Sequence, residues 1–263
     1  MPKLLFFDID GTLFDDNRQL PASVVPALQQ ARRNGCRVFL NTGRTLCNLD
    51  ARLDALPLDG MVLGCGTRVI LEGKTLQALE FSPADTAKLR AEVLAARIPL
   101  VWECDTGIWF DPDGPSHRMI TGFRDFSEKA GIARDIREGD PDFRAVKMFA
   151  FGPPEAVRSL LDRFRAVSLP FQAINRRDNN WELVPAGCSK ASGIDLLREA
   201  LQAPLSDCYA FGDSEIDLPM LEPVPGSIAM GNAPVSVSSR CAYTAPRPEA
   251  DGIAVALKAL RLI

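Results

Sequence analysis

The sequence predicts an α/β fold: a Rossmann-like, doubly wound parallel sheet as the core, with an inserted α/β cap domain. Apolar runs at 4–7 and 38–40 are separated by a helical pattern, which is typical of parallel strands buried on both faces. The same strand–helix alternation returns after Cys188 and continues to a predicted helix at 252–261. Between these two parts the strand candidates follow one another closely, as they do in an antiparallel sheet.

The two alternating parts form one predicted core, at 1–81 and 186–263, and the segment 82–185 forms the predicted cap. In the first part we expect strands at 3–9, 36–41 and 61–63 and a hairpin with strands at 69–71 and 76–81. A helix is expected between the second and third strands and should end at Pro57; its apolar residues are Leu46, Leu49, Leu53 and Leu56. In the cap we expect strands at 99–104, 107–110, 145–151, 170–174 and 180–184, helices near 83–97, 116–130 and 154–166, and a loop at 134–142.

Length and composition are those of a globular protein. The chain has 263 residues, of which 46% are hydrophobic, enough for a sizeable core, and the 24% of charged residues argue against global disorder. The net charge of −4 disfavours broad nucleic-acid binding. No apolar run approaches the roughly 20 residues needed to span a bilayer. We therefore expect no nucleic-acid and no membrane partner, and a monomer or homodimer.

The cysteines and the single histidine narrow the possible chemistry. The seven cysteines include no C-x-x-C pair, and their odd number favours reduced thiols over a disulfide framework. Because no charged-then-apolar leader precedes the first strand, we expect a cytoplasmic protein. The only histidine, His117, nearly excludes His-based metal sites and Ser-His-Asp chemistry, and we expect it on the surface of the cap.

Two aspartates follow the first apolar run. If the strand continued, Asp8 and Asp10 would share a face, and Gly11 would then let the chain turn tightly. Open α/β sheets place their active sites at this end of a central strand. Two neighbouring carboxylates repel each other unless a proton or a cation relieves them, and Mg²⁺ is a natural oxygen-liganded choice. Taken alone, the same pattern also fits a turn with solvated acids.

Two further segments could hold an anion. Thr42 and Gly43 end the second strand, where a hydroxyl and backbone N–H groups can bind a phosphoryl group; an ordinary helix cap at Thr42 is the alternative. Lys190 lies in the first turn of a helix that Ser189 or a neighbour can cap. A cation there is unfavourable to the helix dipole, which suggests an anionic partner, although most single lysines are surface charges.

Two more acids follow a late strand. Asp213 and Asp217 are four residues apart, so one helical turn could bring them to the same side. A helix N-terminus enriched in acids would show the same pattern.

Together the four motifs resemble the haloacid dehalogenase (HAD) superfamily of phosphoryl-transfer enzymes. The ordered set is Asp8-x-Asp10-Gly11-Thr12, Thr42-Gly43-Arg44, Lys190 and Gly212-Asp213-x-x-x-Asp217. The large insert resembles the cap of the Cof-like (type IIB) branch. The segments 229–233 and 249–254 are similar to the late loop and final helix start of that branch.

The resemblance implies a role for each motif residue. Asp8 would be the nucleophile and Asp10 the acid/base. Mg²⁺ would be held by Asp8, by the Asp10 backbone carbonyl and by Asp213, with Asp217 in support. Thr42, Gly43 and Lys190 would bind the phosphoryl group, and Arg44 would reach the substrate or brace its loop. Candidate cap contacts to a small phosphorylated metabolite are Trp102, Glu103, Arg118, Lys147, Arg176, Arg177, Asn179 and Trp181; for each residue taken singly, a surface or packing role is the alternative and the commoner case.

Two departures from the branch leave three functions open. Ile216 and Cys65 stand where the branch usually has asparagine, which puts substrate affinity in doubt more than metal binding. The leading function is a Mg²⁺-dependent phosphatase of small phosphorylated metabolites, such as sugar phosphates. The alternatives are a phosphotransferase or mutase on the same scaffold and a non-catalytic binding protein.

Overall fold

A computed structural model describes residues 2–176 and 178–263, and these form two compact units. The core unit comprises the chain up to Gly43, Asp50–Gln77 and Ser189–Ile263. The cap unit comprises Arg44–Leu49 and Ala78–Cys188. The division into independent domains that the sequence predicts stays a prediction.

The helices and strands alternate along the chain as follows. The first part holds β1 (Leu4–Phe7), α1 (Val24–Arg33), β2 (Arg37–Asn41), β3 (Gly60–Leu63), β4 (Arg68–Leu71) and β5 (Lys74–Ala78). The middle part holds α2 (Pro83–Ala96), β6 (Leu100–Glu103), β7 (Ile108–Phe110), α3 (Arg118–Lys129), β8 (Ala133–Asp135), β9 (Lys147–Phe151), α4 (Pro154–Ala166), β10 (Phe171–Asn175) and β11 (Asn180–Pro185). The last part holds α5 (Lys190–Ala200), β12 (Cys208–Gly212), α6 (Leu218–Leu221), β13 (Gly226–Ala229), α7 (Val235–Ser238), β14 (Tyr243–Thr244) and α8 (Gly252–Ala259).

The core sheet has eight strands in the order β14-β13-β12-β1-β2-β3-β4-β5. The strands from β14 to β3 run parallel, and β4 pairs antiparallel with β3. The central strand β1 is completely buried, as its apolar sequence requires. The predicted fold class, a doubly wound parallel sheet with an inserted α/β segment, is confirmed.

The register of the central strands brings three loops together. Phe7 of β1 pairs with Leu40 of β2 and with Phe211 of β12, so the carboxyl ends of these strands lie at the same edge of the sheet. The polar residues that follow the three strands are Asp8, Thr42 and Asp213. The edge of the core sheet therefore gathers three of the four predicted motifs.

The cap unit contains a six-stranded sheet in the order β10-β11-β9-β6-β7-β8. Most neighbours are antiparallel, as predicted, and β7 and β8 are parallel. Trp102 and Met148 pack in one apolar cluster with residues of α2 and α4, whereas Phe149 packs in another with residues of α3. The short strand β8 overlaps the predicted loop at 134–142, which was therefore wrong at its start; β8 has only three residues, two of them exposed.

The predicted leucine-rich helix before Pro57 was also wrong. Two short 3₁₀ helices, Leu46–Asn48 and Ala51–Ala55, take its place. Leu49 between them is extended, and the Asp50 side chain accepts a hydrogen bond from the Arg52 N–H, which starts the second helix anew. The first 3₁₀ helix lies in the cap unit, where the Cys47 thiol donates to the Cys104 carbonyl at 3.2 Å.

No helix in the described residues is both long and apolar enough to cross a membrane.

A buried charge cluster lies on neighbouring strands of the cap sheet. Lys147 on β9 is fully buried, and its Nζ donates to Glu103 on β6 at 2.7 Å and to Glu182 on β11. Arg176 donates to the other Glu182 oxygen at 2.8 Å. The buried Lys147 ammonium and the partly exposed Arg176 guanidinium therefore balance two buried carboxylates, for which an unpaired charge would be costly.

Replacing Lys147 should destabilise the protein strongly. Lys147→Met leaves Glu103 and Glu182 buried with one cation fewer, which should lower the free energy of unfolding by about 3–5 kcal/mol. Lys88→Met is the matched control, because Lys88 also pairs with a carboxylate, Asp85, at 2.8 Å but is 58% exposed and should change stability little. Urea unfolding measures both variants, and equal effects would contradict the prediction.

Candidate active site

The predicted nucleophile, Asp8, lies directly after β1 at the edge of the core sheet. Its backbone N–H donates to the Phe211 carbonyl at 3.0 Å, which extends the β1–β12 pairing by one residue. The side chain is almost fully buried, and its Oδ1 accepts a hydrogen bond from Lys190 Nζ at 2.5 Å. Asp8 is therefore held by both its main chain and its side chain.

Lys190 is the first residue of α5, as predicted. Ser189 caps the helix through a reciprocal pair of hydrogen bonds with Ser192, at 3.0 Å and 2.9 Å. The buried ammonium donates to Asp8 and to Asp217, each at 2.5 Å. Burial lowers the pKa of Lys190, but the carboxylates of Asp217 and Asp8 outweigh it and raise the pKa above its usual value, so the ammonium stays charged.

Asp217 organises the loop that follows β12. Its Oδ2 accepts hydrogen bonds from the backbone N–H groups of Asp213 and Ser214 and from the Ser214 hydroxyl, all at 3.0 Å. Its Oδ1 accepts from Lys190. Both oxygens are thus engaged, which fits the predicted supporting role better than direct coordination of a metal.

Asp213 faces the loop after β1. Its Oδ1 accepts a hydrogen bond from the Thr12 hydroxyl at 3.1 Å. A Cβ on Gly11, whose φ is +81°, would lie 2.4 Å from Asp213 Oδ2, so only glycine allows this close approach. Thr12 and Gly11 therefore fix the position of the Asp213 carboxylate.

The site has too little positive charge for its carboxylates. Oxygens of Asp8, Asp213 and Asp217 lie within 4.8 Å of one another, and Lys190 is the one cation bonded to this trio in the described residues. Burial raises the pKa of Asp8 to about 7 and that of Asp213 to about 8, and the negative charge of Asp217 contributes to both increases. When all three carboxylates are ionised, the single ammonium leaves a formal charge of −2, which a divalent cation with oxygen ligands would balance. The donor set therefore fits Mg²⁺.

Asp10 does not join the carboxylate cluster. β1 ends at Phe7, so the shared face expected for Asp8 and Asp10 does not form, and the Asp10 side chain is exposed. The chain turns after Ile9, whose carbonyl accepts from Phe14 N–H at 2.8 Å. Asn232 Nδ2 donates to the Gly11 carbonyl at 3.0 Å and holds this turn. An exposed carboxyl close to Asp8 in the chain is accessible for proton exchange, as the predicted acid/base role requires.

Thr42 does not cap an α-helix, so that alternative reading is wrong. Its backbone N–H donates to the Val62 carbonyl at 2.9 Å, and its own carbonyl accepts from Cys65 N–H at 3.0 Å. These bonds fix Thr42 and Gly43 against the end of β3. Arg44 begins the short segment that belongs to the cap unit, and its guanidinium donates to the Asn48 carbonyl at 3.2 Å, so the loop-bracing contact exists. The phosphoryl and substrate contacts of Thr42, Gly43 and Arg44 stay predictions.

Comparisons with known proteins agree with this geometry. The family described as haloacid dehalogenase-like hydrolase matches residues 5–257. The chain belongs to this family.

Individual relatives span nearly the whole chain. YkrA of Bacillus subtilis (strain 168), which is named provisionally as a phosphatase, is 26% identical over 265 residues. The match covers 99% of this chain and 98% of YkrA. The HMP-PP phosphatase of Serratia proteamaculans (strain 568) is 29% identical over 249 residues, with coverage of 89% and 85%. The HAD subclass IIB sugar phosphatase BT4131 has the same fold, with a TM-score of 0.81 at 22% identity and coverage of 99% and 100%. The predicted membership of the HAD superfamily and the hydrolase class are confirmed.

The two departures from the usual HAD pattern lie next to the site. Ile216 is almost fully buried in the short 3₁₀ helix Glu215–Asp217. Cys65 is fully buried in the left-handed region (φ 55°, ψ 43°), where asparagine is less strained than cysteine. Gly66 follows with φ +91°, and a Cβ there would lie 2.4 Å from the Ser189 carbonyl. The start of α5 therefore rests directly on the turn after β3.

Most of the candidate cap contacts already have structural partners. Trp102 is buried in the apolar cluster of the cap sheet, and Trp181 Nε1 donates to the Gly152 carbonyl at 2.8 Å. Glu103, Lys147 and Arg176 belong to the buried charge cluster. Arg118 is exposed at the start of α3, Asn179 has its carbonyl bonded to Gly152 N–H, and Arg177 lies outside the described residues. Substrate contacts by these residues stay predictions.

The histidine is part of the cap, as expected, and has a structural role there. His117 Nδ1 accepts from Met119 N–H at 3.3 Å at the start of α3, and its ring stacks on Phe151 with 4.8 Å between centroids.

Sequence reasoning assigned no role to several residues that shape the site: Thr12, Asn41, Ser214 and Asn232. Asn41 carries the clearest overlooked signal, since an amide that ends an apolar strand beside a motif is unusual.

Gly66→Ala should destabilise the protein by more than the backbone strain of a left-handed alanine, because the added methyl group would also collide with the start of α5. Gly66→Ala should add about 1–3 kcal/mol of overpacking to the cost of a left-handed alanine, about 1–2 kcal/mol, and should also reduce activity by shifting Lys190. Gly35→Ala is the matched control, because Gly35 has φ +88° but nothing within 4 Å of a Cβ. Chemical unfolding of both variants separates the two costs; equal losses would disprove the close contact.

Proposed function

We propose that the chain is a Mg²⁺-dependent phosphatase that hydrolyses small phosphorylated metabolites through an aspartyl-phosphate on Asp8. The observation that carries the proposal is the arrangement around Asp8: a buried carboxylate bonded to the Lys190 ammonium and grouped with Asp213 and Asp217 in a site whose fully ionised form has a formal charge of −2. Such a site suits a dianionic phosphate only when a cation joins it. The phosphatase names of the relatives support the same reaction class.

In the first step an Asp8 oxygen attacks phosphorus, and the bond from phosphorus to the ester oxygen breaks. Asp10 gives a proton to the leaving alcohol. Lys190 and Thr42 stabilise the phosphoryl oxygens, on which negative charge develops. Asp8 is restrained by Phe211 and Lys190, so little freedom is lost on reaching the attacking geometry.

In the second step water attacks the aspartyl-phosphate, and Asp10, now a carboxylate, takes its proton. Inorganic phosphate leaves, and Asp8 is regenerated. An acceptor alcohol in place of water would make the protein a phosphotransferase or mutase, so the fate of the phosphoryl group distinguishes these reactions. A binding protein would need no acid/base group at Asp10.

Asp8, Asp213 and the Asp10 carbonyl would hold Mg²⁺, with Asp217 positioning the Asp213 loop. When bound, the ion supplies positive charge that offsets repulsion between the Asp8 carboxylate and a phosphate dianion. All seven cysteines are free thiols, which supports the proposed cytoplasmic location. Monomer or homodimer is part of the same proposal.

Substitutions of the two aspartates that follow β1, Asp8 and Asp10, should reduce activity to different extents. Asp8→Asn should abolish turnover of p-nitrophenyl phosphate, because the amide is a poor nucleophile. Asp10→Asn should lower kcat by about 10²–10⁴-fold, the usual loss for an acid/base group. Steady-state assays measure both, and thermal unfolding checks the fold. A folded Asp8→Asn protein with the wild-type rate would refute the nucleophile.

Cation binding should depend on Asp213. Calorimetry should detect Mg²⁺ binding to the wild type, and Asp213→Ala should weaken it at least about tenfold, since the ion loses a carboxylate ligand. Asp195→Ala is the control, because Asp195 pairs only with Arg198 on the surface in the described residues. Phosphatase activity that survives excess EDTA would exclude the metal requirement.

A further inference from the structure

We propose that Asn41, at the end of β2, is a positioning residue that sets the location of Lys190. The Asn41 side chain is fully buried, and its Nδ2 donates to the backbone carbonyl of Lys190 at 3.0 Å. The neighbouring group is a carbonyl, so the amide must present its nitrogen there. The inference rests on the proposed function in one respect: Lys190 is taken to contact the phosphoryl group.

Folding stability alone does not account for an asparagine here. Asn41 Oδ1 is buried and has no hydrogen-bond partner among the described residues. The preceding residues of β2, Val38, Phe39 and Leu40, are apolar and buried, and a leucine would continue their pattern. A half-satisfied amide in such a place costs stability. An apolar side chain of the same shape removes the unpaired acceptor, and the Lys190 carbonyl that loses the amide donor remains an acceptor within α5.

The amide joins two parts of the site that are far apart in sequence. Asn41 immediately precedes Thr42, and its hydrogen bond reaches the first residue of α5. The two predicted phosphoryl-binding groups, on Thr42 and Lys190, are thereby fixed relative to each other. The capping by Ser189 sets where α5 begins, and contact with Gly66 limits how closely it approaches β3.

The remaining alternative is that Asn41 only contributes packing. In that case its loss should reduce stability and activity together. A positioning role predicts that stability and activity change independently. Asn41→Leu should keep or raise the melting temperature but weaken phosphoryl binding and lower activity.

The test compares two asparagines with the same bond. Asn34 Nδ2 also donates to a backbone carbonyl, that of Leu262, at 3.0 Å, but Asn34 lies at the C-terminal end of α1 outside the proposed site. Asn41→Leu should lower kcat/KM for p-nitrophenyl phosphate about 10–100-fold, the usual effect of losing a supporting hydrogen bond. Asn34→Leu should leave kcat/KM within about twofold of wild type, because the hydrogen bond from Asn34 to Leu262 contacts neither Lys190 nor Thr42.

A binding measurement makes the test independent of turnover. Calorimetry with orthovanadate in the presence of Mg²⁺ should show about 10–100-fold weaker binding for Asn41→Leu. In a Lys190→Met background, Asn41→Leu should cause no further loss, because its effect acts through Lys190.

Wild-type affinity in Asn41→Leu, additive losses with Lys190→Met, or a fall in melting temperature that parallels the fall in activity would each overturn the inference. A wild type that binds orthovanadate without hydrolysing esters would defeat only the proposed function. A wild type that binds no orthovanadate would defeat both.

Discussion

The Lys190 ammonium is the interaction on which the candidate site depends. It bonds Asp8 at the end of β1 and Asp217 in the loop after β12, so a single buried cation joins three segments of the core unit. Asp217 in turn holds the backbone at Asp213 and Ser214. Without the ammonium, Asp8 and Asp217 would face each other as buried carboxylates, and the loop that carries Asp213 would lose its anchor.

The same arrangement leaves the site short of positive charge. Burial raises the pKa values of Asp8 and Asp213 because each carboxylate has lost water without gaining a full complement of donors. This incomplete compensation is a cost to the fold. In the proposed reaction it would become useful when a cation and a phosphate enter, because groups that are already desolvated and oriented need little rearrangement.

Local sequence patterns predicted secondary structure correctly where a whole segment is buried, and incorrectly where buried and exposed residues alternate irregularly. The apolar runs of β1, β2 and β12 identified the parallel sheet, and the polar residues after them identified the edge at which the site lies. The segment after Thr42 misled because its leucines have helical spacing, whereas the Asp50 cap and an extended Leu49 divide it.

Contacts between residues far apart in sequence account for the features of the site that sequence patterns did not predict. The exposed position of Asp10 follows from the end of β1 at Phe7 and the turn held by Asn232, a residue 221 positions after the Gly11 carbonyl it contacts. The bond from Asn41 to Lys190 spans 149 positions. No local pattern encodes such pairs, because each joins two segments that are distant in sequence and meet only in the folded core unit.

The assignment of Arg44–Leu49 to the cap unit has a consequence for modular engineering. The cap unit is drawn from two separate stretches of chain, and the shorter one is tied to the longer by Leu46 N–H to Asp105 Oδ1 at 3.3 Å as well as by the Cys47 thiol. Excising 78–188 would strand these six residues beside Thr42 with their partners removed. A chimera that exchanges cap units between family members must therefore transplant both stretches, or it will join the new cap unit to a damaged loop beside Thr42.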